Sequence, residues 1–279
     1  MTETNASFVM TGDCIEKMRL ITDESIPLMI ADPPYNIGFD YGAGEYNDRL
    51  PDDEYQQWTR QWLAEAHRIL TRNGTLWVVI GDESVAELKV AACQLGFKLR
   101  SWVIWYYTFG VNSPGKFTRS HAHLLYFVKN DKRFTFNADQ IRVPSARAVE
   151  YRDRRANPDG RLPDDTWILR PKEIPDGFEA TGDTWTMPRV CGTFKERVHG
   201  AANQLPEQLV GRIIRACSNP EDVVLDPMCG TGTVPTVAKK LGRQYIGYEL
   251  SETFSQIADA RVRAAKVGDA LDGPIPPGG

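Results

Sequence analysis

The chain has 279 residues, 42% apolar and 25% charged, with a formal net charge of −4, an ordinary globular composition that can bury a sizeable core. Its apolar runs, such as LWVVI at 76–80, fall far short of the ~20 residues a membrane helix needs, and the opening MTETNASFVM lacks the layout of a secretory signal, so a cytoplasmic protein with no membrane partner is expected. Five cysteines (Cys14, Cys93, Cys191, Cys217, Cys229) without CxxC or Cys/His spacing argue against a disulfide framework and against a metal site.

From the N-terminus, GDCIEKMRLITDESIPLMIAD reads as a turn, a short helix and a buried strand ending at Ala31. DDEYQQWTRQWLAEAHRIL then sets Tyr55, Trp58, Trp62, Ala66 and Ile69 at spacings of three and four. That is an amphipathic helix, with Asp52 and Asp53 as capping acids and Asn73-Gly74 as its left-handed stop. TLWVVIGD is the next buried strand, SVAELKVAACQLG a helix closed by Gly96, and FKLRSWVIWYY and HLLYFVK two further strands. A βαβα alternation predicts an α/β fold with a mostly parallel sheet and helices on both faces. TFGVNSPGKFTRSHA, between the last two strands, is too long and polar for a tight hairpin and is a candidate functional loop.

From about Asp131 to Arg189 periodicity fades and Pro, Gly, Asp and Arg dominate. DTWILRP (165–171) is echoed by DTWTMPR (183–189), each Trp reading as an anchor for an irregular insertion. Helical signals return in NQLPEQLVGRIIRACS, with Pro206 suited to a first turn and Leu209, Ile213 and Ile214 as the buried side. DVVLDPMCGTGTVPTVAKKLGRQYIGYELSE follows: a strand, the glycine turn Cys229-Gly230-Thr231-Gly232, a helix, and a second strand ending on Glu249, 17 residues after Gly232. Glycines admit close approach of a ligand, the helix N-terminus offers N–H groups, and the acid can grip ribose hydroxyls, so a nucleotide-type cofactor is expected here. The tail GDALDGPIPPGG is expected to be disordered.

Charge is uneven. Residues 1–65 hold 4 basic and 13 acidic side chains, whereas 100–215 hold 19 basic and 13 acidic, so the middle of the chain could face phosphate. Lys116, Arg119, Arg142, Arg147, Arg152, Arg154 and Arg155 are the candidates, against the plainer reading of a solvated surface loop.

The DPPY turn, Asp32 to Tyr35, stands where a parallel strand ends, the edge at which open α/β sheets carry ligands. Pro33 and Pro34 remove two N–H donors and leave a stiff turn whose carbonyls point outward as acceptors. An aspartate oxygen beside a proline carbonyl suits an NH2 group, and Tyr35 offers a flat face for an aromatic ring. An amino-substituted nucleobase fits that description.

With these motifs together, the chain resembles the amino-methyltransferases of DNA, which methylate N6 of adenine or N4 of cytosine using S-adenosylmethionine, and the resemblance implies their Rossmann-like fold. It rests on GDC (12–14), DPPY (32–35), RVHGAANQLPEQL (197–209), DPMCGTG (226–232) and YIGYE (245–249), and covers nearly the whole chain. The catalytic motif precedes the glycine motif, as in the beta arrangement. By resemblance Asp32, Pro33, Pro34 and Tyr35 are catalytic. Asp13, Cys14, His199, Asn203, Gln204, Pro206, Asp226, Pro227, Met228, Cys229, Gly230, Thr231, Gly232, Glu249 and Leu250 line the cofactor. Met228 stands where the family commonly has phenylalanine, and Leu205 where lysine is common.

Residues 1–130 then form the catalytic half, 131–190 a target-recognition insertion, 191–265 the cofactor half and 266–279 a tail. The implied partner is double-stranded DNA, with a homodimer compatible, and the implied chemistry needs no metal. Asp at the first motif position favours adenine, and the base must flip out of the duplex to be reached. Three alternatives stay open: an N4-cytosine enzyme, a dinucleotide oxidoreductase that would leave DPPY idle, and an inactive DNA-binding subunit.

Overall fold

Apolar runs of four to six residues, flanked by turns, become the central strands of the molecule. A computed structural model describes residues 7–39, 48–111, 114–115, 117–149, 151–167, 197–198 and 204–272. In chain order the elements are β1 (Phe8–Thr11), α1 (Cys14–Met18), β2 (Ile26–Ala31), α2 (Asp52–Ile69), β3 (Leu70–Ile80), α3 (Val85–Gln94), β4 (Lys98–Val111) and β5 (Arg119–Val128). After them come a helical turn α4 (Ala146–Val149), β6 (Thr166–Trp167), α5 (Glu207–Cys217), β7 (Val223–Asp226), α6 (Thr233–Lys240), β8 (Gln244–Glu249) and α7 (Glu252–Ala264).

The strands form one sheet in the order β1-β8-β7-β2-β3-β5-β4-β6. The first five are mutually parallel, β5 runs antiparallel to both its neighbours, and β6 is parallel to β4. The expected α/β, Rossmann-like, mostly parallel sheet is therefore observed, with an antiparallel hairpin added toward one edge. Strand periodicity sends Leu28 and Ile30 to one face, against Leu209, Ile213 and Ile214 of α5 and Val234 and Val237 of α6. Met29 and Ala31 go to the other, against Trp62, Leu63, Ala66 and Ile69 of α2. All four of these β2 residues are fully buried, which is why IPLMIA is apolar without alternation; each large side chain contributes about 1.5–3 kcal/mol.

After β2 the chain crosses through α2 to β3 on one side, and after β7 through α6 to β8 on the other. β2 and β7 are nonetheless neighbours, with Leu28 opposite Val224 and Met29 opposite Leu225. The carboxyl ends of these two strands flank the topological switch point, where open sheets hold ligands. Among the described residues no helix is long and apolar enough to cross a membrane.

The structure corrects several local expectations. Asn73-Gly74 does not stop α2, because Leu70 turns extended directly after Ile69 and both residues lie inside β3. Asp52 and Asp53 sit in the first turn of α2 beside the helix dipole rather than capping it, since Pro51 holds the cap position. Pro206 likewise precedes α5 as its N-cap. β4 and β5 continue into the supposed loop as far as the Val111–Arg119 pair. Residues 270–272 of the expected tail are held in place, because Lys240 Nζ bonds the Ala270 carbonyl (3.1 Å) and the Asp272 carboxylate (3.2 Å), while Gln208 holds the Leu271 carbonyl (3.2 Å); residues 273–279 lie outside the described residues. Trp167 is a strand residue whose backbone pairs with Trp105; its echo at 183–189 lies outside the described residues.

Candidate active site at the carboxyl edge of the sheet

Five parallel strands deliver their ends to one edge. Glu249 ends β8, Asp226 ends β7 and Asp32 follows β2, while Gly12 after β1 donates its N–H to the Glu249 carbonyl (2.8 Å). Three carboxylates thus stand on adjacent strand tips. Burial, reinforced by the charges of Asp32 and Glu249, holds Asp226 well above the usual carboxylate range against the opposing Met228 N–H. Burial also pushes Asp32 up to about 7, against the pull of the Tyr35 hydroxyl. Cys14 is driven to about 12 by burial, then by the negative charges of Asp13 and Glu249.

The DPPY turn is braced from three sides. The Tyr35 hydroxyl donates to Asp32 Oδ1 (3.1 Å), and Tyr55 on α2 donates to the Pro34 carbonyl (2.7 Å). That second bond corrects the expectation that both proline carbonyls are open: Pro34's is taken, and among the described residues nothing donates to Pro33's. Where the prolines end, N–H groups return, and buried Asp48 collects those of Asn36 (2.9 Å), Ile37 (3.1 Å) and Phe39 (2.8 Å). Asn36, in the left-handed region at φ +59°, closes the same loop by pairing its side chain with both backbone groups of Leu50 (2.7 and 2.9 Å). A Cβ on Gly81 would lie 3.1 Å from the Tyr35 ring, so the end of β3 must be bare for the aromatic to lie against it.

On the cofactor side, Asp226 Oδ1 accepts from Met228 N (3.1 Å) and Cys229 N bonds the Tyr248 carbonyl (2.8 Å), which with buried Pro227 fixes the start of the glycine turn. Gly230 (φ +50°) has open space where a Cβ would stand, whereas at Gly232 (φ +80°) a Cβ would come within 2.7 Å of Ala258 on α7. One glycine clears room outward and the other admits a helix. Glu249 receives Gly230 N (2.8 Å) and Ser251 N (2.9 Å), one on each oxygen, which fixes its carboxylate at the strand tip. Asp13 caps α1 through Ile15 N and Glu16 N, which places buried Cys14 beside Glu249. Thr231 is buried, Leu250 is exposed, and Gln204 accepts from Val198 N (3.0 Å) just ahead of Pro206 and α5.

The decisive comparison is with protein families: the model described as DNA methylase, N6/N4 type, matches residues 26–260. The chain belongs to this family. It is therefore a DNA methyltransferase with S-adenosylmethionine as methyl donor. The Type II methyltransferase M.HpaI of Haemophilus parainfluenzae is 32% identical over 267 residues, spanning 95% of this chain and 77% of that protein. The DNA adenine methyltransferase YhdJ of Escherichia coli K12 is 30% identical over 266 residues, 93% and 84% of the two chains. Among solved structures, a DNA modification methylase of Thermus thermophilus, TTHA0409, aligns with a TM-score of 0.60 at 22% identity over 95% and 98% of the two chains. The cytosine-N4-specific PvuII DNA methyltransferase does so at 0.60 and 16% over 95% of each; both show the shared fold.

The edge of this methyltransferase fits its donor. Three close carboxylates suit a ligand that carries positive charge, and the open space at Gly230 lies directly beside the Glu249 side chain. Of the basic candidates, Arg119 pairs with Asp82 (2.6 Å) and Glu83, Arg142 with Asp139 (2.8 Å), and Arg147 and Arg155 share Asp153 (2.6 and 2.9 Å). Among the described residues Arg152 and Arg154 make no ion pair. His199, Asn203 and Lys116 lie outside the described residues.

Sequence reasoning did not single out Tyr55, Asp48, or a buried network behind the glycine turn. In that network Glu207 binds Lys240 (2.7 Å) and Arg261 (3.2 Å), and Arg261 also reaches the Thr231 carbonyl (3.2 Å). Tyr55 was visible only as one apolar position of a helix, and nothing local marks its hydroxyl as a brace.

Proposed function

We propose that this methyltransferase acts on N6 of adenine in duplex DNA, with Asp32 and the Pro33 carbonyl accepting the two hydrogens of the target amine. The observation that carries the reading is the division of acceptors at the turn. Tyr55 occupies the Pro34 carbonyl, and the Pro33 carbonyl beside Asp32 is left for a substrate.

An exocyclic amine is a poor nucleophile because its lone pair is delocalised into the ring. Two fixed acceptors draw its hydrogens out of that plane and aim the nitrogen, which is positioning plus electrostatic stabilisation. S-adenosylmethionine, once bound, supplies an electrophilic methyl group. Glu249 would hold its ribose, the Gly230 turn would admit it closely, and Tyr35 would stack on the extruded base. Asp32 accepts most strongly when ionised, because a charged acceptor makes the stronger hydrogen bond. With its carboxyl raised to about 7 by burial, activity of the free enzyme should fall as pH drops through that value, and a bound cation should move the limb to lower pH. We assign target recognition to residues 131–190, with Arg152 and Arg154 as the arginines already available to phosphate.

The adenine assignment is supported by the name of the relative YhdJ and by Asp at the head of the motif; PvuII, cytosine-N4-specific, keeps the second reading alive. Expression in a methylation-deficient host followed by nucleoside mass spectrometry tests it. N6-methyladenine is the expected product, and N4-methylcytosine alone would replace the adenine reading with the second.

A further inference from the structure

The β4–β5 hairpin reaches beyond the rest of the sheet on the side of the active site. β5 leaves β3 at the His123–Ile80 pair yet pairs with β4 through Tyr106–His121 and, after an irregular step in which β4 advances five residues to two of β5, again at Val111–Arg119. Residues 119–122 therefore overhang the end of β3 by about 13 Å at the usual rise per strand residue. Beyond them Gly115 turns at φ +76° with nothing within 4 Å of a Cβ position, and Phe117 is 102% exposed. No described large apolar side chain is more exposed. The two most exposed aliphatic residues, Leu20 (81%) and Val267 (70%), lie at the opposite edge, after α1 and beside the turn that precedes β8.

The base of this hairpin is fixed to the catalytic turn. Arg119 pairs with Asp82 and Glu83, which follow directly on Gly81, the residue under the Tyr35 ring. Tyr107 holds the His121 carbonyl across the two strands (3.1 Å). A fully solvated phenylalanine thus stands two residues from Arg119, whose ion pairs lie next to the residue under the Tyr35 ring. Water gives that side chain nothing, whereas a base stack opened by extrusion of one base offers an apolar slot of matching thickness.

We propose that Phe117 is a wedge that enters the duplex at the target position and fills the gap left by the extruded base. The inference rests on the duplex-DNA reading above. It makes Phe117 a positioning residue that lowers the cost of extrusion without touching the reacting atoms.

The test is single-turnover methylation by the full chain with enzyme in excess, on a duplex carrying the sequence mapped in the methylation-deficient host. The companion substrate is the same duplex with an abasic site opposite the target. Phe117→Ala should slow transfer on the paired duplex about 10- to 100-fold, the range in which unstacking and unpairing costs fall. On the abasic companion, where the target is already unpaired, it should stay within about threefold of the parent. Phe117→Leu should recover most of the rate on the paired duplex. Equal loss on both substrates, or no loss on either, overturns the wedge. A parent chain that methylates neither duplex overturns the underlying reading, and the wedge with it.

Discussion

The tips of β2 and β7 start alike and end differently. Both strands are largely buried, β7 ends on an aspartate and β2 runs directly into one, and they are hydrogen-bonded neighbours. At β7 the residue two positions on is Met228, whose N–H turns Asp226 Oδ1 back onto its own loop (3.1 Å). At β2 that position is Pro34, which has no N–H to give, and Asp32 is held by the Tyr35 hydroxyl (3.1 Å). One carboxylate is consumed in building its turn. The other, in a turn whose prolines offer no N–H, is the one proposed to meet the target amine.

Predictions that break or sharpen this contrast rank by size. Asp32→Ala should cut single-turnover methyl transfer at least ~100-fold, the scale of one preorganised electrostatic partner, while calorimetry finds S-adenosylmethionine affinity within a few fold of the parent. Transfer at parental rates would make the turn a mere strand stop. Glu249→Ala should do the reverse, weakening cofactor binding roughly 10- to 100-fold, as charge-assisted hydrogen bonds of ~1.5–3 kcal/mol imply.

Pro34→Ala is the sharper probe, since it gives β2 the donor that β7 has. Its new N–H should bond the ionised Asp32, slow transfer roughly tenfold and shift the acid limb of the pH–rate profile below about 7, as hydrogen bonding to the charged form requires. An unmoved limb would mean that the prolines serve rigidity alone. Tyr55→Phe releases the Pro34 carbonyl as a competing acceptor and should lower kcat about fivefold, for a net hydrogen bond of ~1 kcal/mol. KM for the methyl donor should hold steady, and a parallel rise in KM would point to a general loosening of the edge.

Much of this was legible in the sequence because it rests on local rules. Buried strands showed as IPLMIA and LWVVI, the helix from Asp52 as a three-and-four spacing, and the two turns at the carboxyl edge as Pro and Gly patterns that change backbone donors and φ. What stayed hidden depends on partners far along the chain. β1 has four residues and makes sense only beside β8. The Asn73-Gly74 pair looked like a helix stop, but strand pairing of Thr75 with Leu28 and Val128 extended β3 back toward α2. Val111 and Arg119 joined β4 and β5 across a stretch whose polarity suggested a free loop. Leu271 and Asp272 were assigned to a tail on composition, yet the Lys240 ammonium and the bare Cα of Gly211 give them a seat.

The seam between β2 and β7 also shapes how the molecule is made. Residues 28 and 224 meet across it, so the carboxyl edge of the sheet closes only after nearly 200 intervening residues have been brought together, a contact of high sequence separation that slows assembly. Each half can order its own crossover first, β2-α2-β3 on one side and β7-α6-β8 on the other. Since the backbone never passes directly between the two strands, the order of the halves along the chain is not dictated by the sheet. Linking the described ends and opening the chain between β6 and α5 would place the glycine turn first and leave every strand neighbour unchanged.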